Sequence, residues 1–210
     1  MESEDENLVF VLFFNGQKFR FEDKIENRVR KMMIQHIEQN LQIPGRFLER
    51  EGTFLKMRND CDLEAFQAEV SCYQDLKDSG LVPKLIDSDC LLFRYYQEDI
   101  SEFAELCSSW ILFEKKGVSL LDTYFEEEEK QHFQGPSCCS RTLLNDEKSF
   151  LALFPKNKIP EDVRQQVWNI LVQLKRRGIC HCDVHPGNFL IDQGKVFVID
   201  FEISERFTGL

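Results

Sequence analysis

The segment from Pro160 to Asp200 constrains the fold more than any other. Pro160 opens a stretch in which Val163, Val167, Ile170, Leu171 and Leu174 recur at three- and four-residue spacing, so they share one face of a helix. Lys175-Arg176-Arg177 falls in its last turn, where cations oppose the helix dipole, and Gly178 ends it. The polar stretch His181-Cys182-Asp183-Val184-His185-Pro186-Gly187-Asn188 follows, and then two short strands either side of Asp192-Gln193-Gly194. The second, Lys195-Val196-Phe197-Val198-Ile199, delivers Asp200 at a strand end. Helix, loop and hairpin thus present an Asp, an Asn five residues on, and a second Asp twelve residues beyond that.

Taken singly, these are ordinary residues: an Asp capping a loop, an Asn in a turn after Pro-Gly, an Asp closing a strand. Taken together, they supply the order of groups that steers a hydroxyl proton and holds magnesium on a nucleotide triphosphate. With Val198-Ile199-Asp200-Phe201-Glu202, the loop resembles the protein-kinase-like superfamily. The likeness is closer to its atypical branches: the aminoglycoside and choline phosphotransferases, the RIO kinases and the small kinase of the tRNA threonylcarbamoyl-modification complex. Their loops often read His-Gly-Asp-Leu-His-Pro-x-Asn, followed by Ile-Asp-Phe-Glu or Ile-Asp-Trp-Glu. Here Cys182 stands for Gly and Val184 for Leu. The likeness is best from Ile159 to Glu202 and weaker back to Thr53.

The resemblance implies an α+β, two-lobed kinase-like fold: a small N-terminal antiparallel-sheet lobe with helices, and a reduced C-terminal lobe. The expected divisions are residues 1–114, a hinge and irregular insertion over 115–160, and a minimal C-terminal lobe over 161–210. ATP and Mg²⁺ are the implied cofactors, and the acceptor is a hydroxyl of a protein or small molecule. Asp183 is the implied general base, with Asn188 and Asp200 as metal ligands. Lys56, in Phe54-Leu55-Lys56-Met57, is the implied phosphate lysine. Its expected partner is Glu69, beside the stripe of Phe66, Val70 and Tyr73 on a helix. Phe113-Glu114-Lys115 resembles the hinge, whose backbone would meet the adenine edge. His181 is expected to hold the loop through backbone hydrogen bonds, and His185 to pack or bond within it.

The sequence also departs from the pattern. No Gly-x-Gly-x-x-Gly occurs, and Glu202 stands where protein kinases carry Gly. Ten residues follow Asp200, without an activation segment or Ala-Pro-Glu motif, so the base of the lower lobe is expected to be either exposed or completed by a protein partner. The alternative reading is a kinase-like binding or scaffold module without turnover.

Elsewhere, Asn15-Gly16 between Leu8–Phe14 and Gln17–Glu22 predicts a hairpin. A helix is expected over Lys24–Leu41, a strand over Thr53–Arg58, and a helix over Leu63–Lys77 capped by the stretch Asn59 to Asp62. Strands are expected at Pro83–Asp87, Cys90–Tyr96 and Trp110–Glu114. Leu120–Pro160 reads as irregular, with one or two short helices, and Glu126 to Glu129 as a solvated acidic face able to recruit a basic partner. The 19 Phe are expected on sheet faces and in interlobe packing.

A formal charge of −11 repels phosphate, so neither nucleic acid nor an anionic membrane is an expected partner. No run is apolar enough to span a bilayer, and the acidic start is unlike a signal or transit peptide. A cytosolic or nuclear location follows as an expectation, with the eight cysteines as thiols. Cys180-His181-Cys182-Asp183-His185 is dense in metal-ligand types. However, Cys138-Cys139 is adjacent rather than Cys-x₂-Cys, and no other pair has finger spacing. Cys180 and Cys182 are therefore expected to pack as small, half-buried apolar residues, with a metal or redox module as the weaker reading.

Overall fold

The computed structural model describes residues 10–14, 17–21, 29–35, 52–59, 62–97, 102–133 and 138–207. The chain is α+β and gathers into two compact units, residues 1–63 with 86–112, and residues 64–85 with 113–210.

The first unit carries a five-stranded sheet of order β2-β1-β4-β5-β3. Its strands are β1 (Phe10–Phe14), β2 (Gln17–Phe21), β3 (Thr53–Asn59), β4 (Leu85–Gln97) and β5 (Glu102–Glu114). β1 pairs antiparallel with β2, Phe14 opposite Gln17; Asn15 and Gly16, where the hairpin turn was expected, lie outside the described residues. The two strands expected at Pro83–Asp87 and Cys90–Tyr96 are one strand, β4. The expected break fell at Ser88-Asp89; just before it the Trp110 indole N–H of β5 donates to Asp87 Oδ2 at 3.0 Å. β5 likewise begins earlier than its apolar core suggested. Its run Ser108 to Phe113 is buried throughout, as in a strand covered on both faces. A helix, α1 (residues 29–35), buries Val29, Met32 and Met33 and exposes Arg30 and Lys31; the rest of Lys24–Leu41 lies outside the described residues.

The second unit is built on two long helices. α2 (Leu63–Leu76) buries Phe66, Glu69, Cys72, Tyr73 and Leu76 at helical spacing; Asp60 and Cys61 of its expected cap lie outside the described residues. α7 (Glu161–Arg176) buries the whole predicted stripe, each side chain worth about 1.5–3 kcal/mol on transfer from water. Against it lies a hairpin of β8 (Phe189–Asp192) and β9 (Lys195–Val198), with β6 (Val118–Ser119) completing a three-stranded sheet. The turn residues Gln193 and Gly194 have φ of 50° and 80°, the double left-handed geometry of a tight hairpin. Gln166 of α7 clamps this hairpin, donating to Gly194 O at 2.9 Å and accepting from Val196 N–H at 3.0 Å. β7 (Ile179–Cys180) pairs with β10 (Glu205–Arg206).

The stretch expected to be irregular holds four short helices among its described residues: α3 (Leu120–Tyr124), α4 (Glu127–Lys130), α5 (Ser140–Leu143) and α6 (Glu147–Leu153). A 3-10 turn, Gln131–Phe133, follows α4. These helices are too short for a readable apolar period, and local caps define them. Ser119 Oγ accepts from Asp122 N–H at 2.9 Å, and Asp146 Oδ1 from Lys148 N–H at 3.0 Å. The acidic run is not merely a solvated face. Glu129 caps the Glu126 N–H at 3.0 Å and pairs with Lys158 at 2.8 Å, while Glu127 and Asp122 share Lys130. Phe150 of α6 packs edge-on against Trp168 of α7, and Phe154, which caps α6, against Phe189 of β8, so Phe residues here join helices to the sheet.

Candidate active site

The loop after β7 is organised by His181, which is fully buried. Its Nδ1 accepts the Asp183 N–H at 3.2 Å, and its Nε2 lies 2.9 Å from Ile199 O. The first bond requires an unprotonated Nδ1, so Nε2 carries the hydrogen and donates to Ile199. Burial pushes the imidazole pKa down, against the pull of the Ile199 hydrogen bond and of the Asp200 and Asp183 carboxylates, so the ring stays neutral. One side chain thus ties the backbone of the first acid to the residue preceding the second.

Ile199 carries a second tie: its N–H donates to Asn188 O at 3.0 Å. Asn188 sits at the end of the 3-10 turn Pro186–Asn188, whose first residues are capped by His185 Nδ1 accepting Gly187 N–H at 3.1 Å. Gly187 is needed for space here. A Cβ would stand 2.7 Å from His185 Cε1. The buried Asn188 amide donates from Nδ2 to Asp183 O and to Asp183 Oδ2, both at 2.9 Å. Both partners are acceptors, which fixes the amide orientation and turns the acceptor, Oδ1, away from Asp183. The His185 Nε2 lies 3.6 Å from Asp183 Oδ2, beyond a direct hydrogen bond.

Asp200 has φ of 65°, a left-handed conformation that costs a non-glycine residue about 1–2 kcal/mol. Its N–H donates to the Tyr73 hydroxyl at 2.9 Å. Tyr73 is buried on α2 between Phe113, at 4.6 Å, and Phe201, at 5.1 Å, and burial together with Glu69 raises its pKa well above the ordinary value. The hydroxyl therefore stays protonated. Sequence reading placed Tyr73 in the apolar stripe and missed this second role; only its phenolic tip offered a signal.

Asp183, Asn188 and Asp200 thus stand on one hydrogen-bonded frame, through His181 and Ile199. The Asn188 amide oxygen and the Asp200 carboxylate are hard donors of the kind Mg²⁺ takes, two protein groups leaving positions for water and phosphate oxygens. In donor type the two residues fit that ion.

The other expected site residues stand on other elements. Lys56 is half-buried on β3 of the first unit. Glu69 is 1% exposed on α2 of the second and is more buried than Val70, which was expected in the apolar stripe and is only half-buried. Phe113 is buried and Lys115 exposed, while the Glu114 carboxylate meets Lys116 at 2.7 Å. The Glu114 N–H donates to Lys84 O at 2.9 Å, which engages that backbone donor within the protein.

Sequence spacing also missed a sulfur cluster. Cys139, at the start of α5, meets Cys180 and Cys182, the three Sγ atoms lying within 4.8 Å of one another. Cys180 is buried, as expected of an apolar packer, but its sulfur faces two other thiols rather than hydrocarbon alone.

Beside His185 a cleft of about 580 Å³ is lined by Leu121, Glu127, Glu128, Lys130, Gln131 and Phe133. Among the described residues no helix is long and apolar enough to cross a membrane.

A family model described as a phosphotransferase enzyme family matches residues 140–205, the stretch from α5 to β10 that carries all three oxygen-bearing residues. No curated protein gives a significant match. Over that stretch the chain is similar to phosphotransferases, in agreement with the kinase-like likeness of its loop.

Proposed function

We propose that this chain is an ATP- and Mg²⁺-dependent phosphotransferase that moves the γ-phosphate of ATP to a hydroxyl of a protein or small molecule. The observation that carries the reading is the frame in which His181 and Ile199 bind the Asp183–Asn188 pair to the strand end bearing Asp200. Asp183 accepts the proton of the acceptor hydroxyl and orients its oxygen, while the Asn188 amide keeps the carboxylate aimed. Asn188 Oδ1 and the Asp200 carboxylate hold Mg²⁺, which when bound offsets the negative charge of the phosphates. Such compensation matters in a chain of net charge −11. Lys56, with Glu69, is assigned to the α- and β-phosphates, and the backbone of Phe113, Glu114 and Lys115 to the base. The acceptor enters through the cleft at His185, next to the carboxylate that takes its proton.

Transfer of labelled γ-phosphate to a panel of hydroxyl acceptors, with water as one of them, tests the reading. Asp183→Asn is expected to lower transfer about 10²- to 10⁴-fold while the fold survives. Transfer undiminished in that variant removes Asp183 from its role.

A binding module without turnover is the second reading, favoured by the lack of a Gly-x-Gly-x-x-Gly stretch to cover the phosphates. Thermal stabilisation by ATP that needs Mg²⁺ and is lost in Asp200→Ala, with no transfer to any acceptor, would favour it. On either reading a cytosolic or nuclear location belongs to the proposal.

A further inference from the structure

The cysteine cluster lies behind the candidate loop and plays no part in the chemistry proposed above. Cys139 Sγ is 2.9 Å from Cys180 Sγ, Cys182 Sγ is 3.9 Å from it, and all three lie within 4.8 Å. They come from chain segments about forty residues apart, and the backbone holds both segments in place. Ser140 N–H donates to His181 O at 2.8 Å, Val184 N–H to Cys138 O at 2.9 Å, and His181 N–H to Ser140 Oγ at 3.1 Å. From the other side Cys180 is paired with Glu205 of β10. The thiols are thus gathered by a frame that does not depend on any bond between them.

We infer that Cys139, Cys180 and Cys182 form a binding site for a thiophilic divalent cation of the Zn²⁺ class. A tetrahedral Zn²⁺ with Zn–S of about 2.3 Å spaces its sulfurs about 3.8 Å apart. The observed separations bracket that value, so small side-chain rotations, without backbone movement, convert the cluster into a ligand set. Three sulfurs select a soft or borderline ion over Mg²⁺, which keeps this site chemically distinct from the oxygen donors at Asn188 and Asp200. Among the described residues no fourth His, Cys, Asp or Glu joins the group, and Cys139 and Cys182 are half-exposed, so water takes the fourth position. Three S–H bonds break, three S–metal bonds form, three protons go to solvent, and no electrons are exchanged. The bound ion clips the start of α5 to the two residues flanking His181, one of them adjacent to Asp183. It stiffens the loop rather than entering the reaction.

The test uses the full chain, kept reduced, stripped of metal by a chelator and titrated anaerobically with Co²⁺. A thiolate-to-cobalt charge-transfer band should saturate at one equivalent, release three protons per ion, and disappear when one equivalent of Zn²⁺ is added. Cys139→Ser and Cys182→Ser should lose the saturating band, while Cys72→Ser and Cys138→Ser keep it. Circular dichroism confirms that each variant is folded, and the two half-exposed positions carry the test should Cys180→Ser not fold. Absence of the band in reduced wild-type protein overturns the inference, as does an equal band in the Cys139→Ser/Cys182→Ser double variant. A Cys139–Cys180 disulfide that forms in air, in a protein whose reduced form ignores cobalt, identifies a dithiol pair and overturns it too. None of these readouts depends on phosphotransfer.

Discussion

Replacing Tyr73 by Phe tests how the second acid is held. The substitution removes one oxygen from a side chain that is 1% exposed and leaves the ring to keep its places against Phe113 and Phe201. What it takes away is the acceptor for the Asp200 N–H, 2.9 Å distant. A half-buried amide then loses its partner in a residue already in the left-handed region, and stability should fall by about 1–3 kcal/mol. Because the ring fills the same space, no cavity term adds to this. Urea unfolding followed by circular dichroism reads the loss as a lower midpoint at unchanged slope. If Asp200 holds Mg²⁺, the freed backbone also misaims its carboxylate. Partners of this kind commonly change metal affinity about 10- to 100-fold, so the Mg²⁺ concentration for half-maximal transfer should rise by that factor. A loss under roughly 0.5 kcal/mol, with an unchanged Mg²⁺ titration, would refute the claim that Tyr73 positions Asp200.

Three further outcomes are expected. Because burial holds the His181 pKa below its unfolded value near 6.5, the unfolded chain binds a proton that the native chain does not as pH falls through that value. The contribution is complete above pH 6.5 and declines by about 1.4 kcal/mol per unit below it until the native pKa is reached, and unfolding measured against pH should lose this slope in His181→Phe. At Asp200, both Ala and Gly remove the carboxylate, but only Gly relieves the φ of 65°. Asp200→Gly should be about 1 kcal/mol more stable than Asp200→Ala, both being inactive, and equal denaturation midpoints would count against backbone strain there. If Lys56 and Glu69 act as one unit, Lys56→Met and Glu69→Gln should lower transfer by similar factors and the double variant by no more than either; multiplicative losses in kcat/KM would separate them.

Legibility in the sequence followed the range of the interactions. The helix α7 was readable because its five apolar residues recur at the helical period, and a stripe of that kind forms wherever it is buried. The β8–β9 turn was readable because Gln193-Gly194 tolerates positive φ. The continuity of β4 was not, since the polar pair Ser88-Asp89 reads locally as a break, whereas the strand continues through it in the sheet. For the stretch holding α3 to α6 only one or two short helices were expected and none was located, because segments of four to seven residues carry less than two full turns of periodic signal.

The candidate site divides in the same way. Asp183, Asn188 and Asp200 were visible as an ordered set because loop and hairpin bring them round within eighteen residues, and local backbone geometry suffices for that. The sequence alone therefore determined which oxygens are on offer. Tertiary structure decided how they are held: Tyr73 reaches Asp200 across 127 residues, and His181 and Ile199 bond because the hairpin folds back over the loop. It also decided that Cys139 joins Cys180 and Cys182. Periodicity reports which face of an element is buried, whereas which side chain stands opposite depends on packing between elements, and that information is absent from any short stretch of sequence.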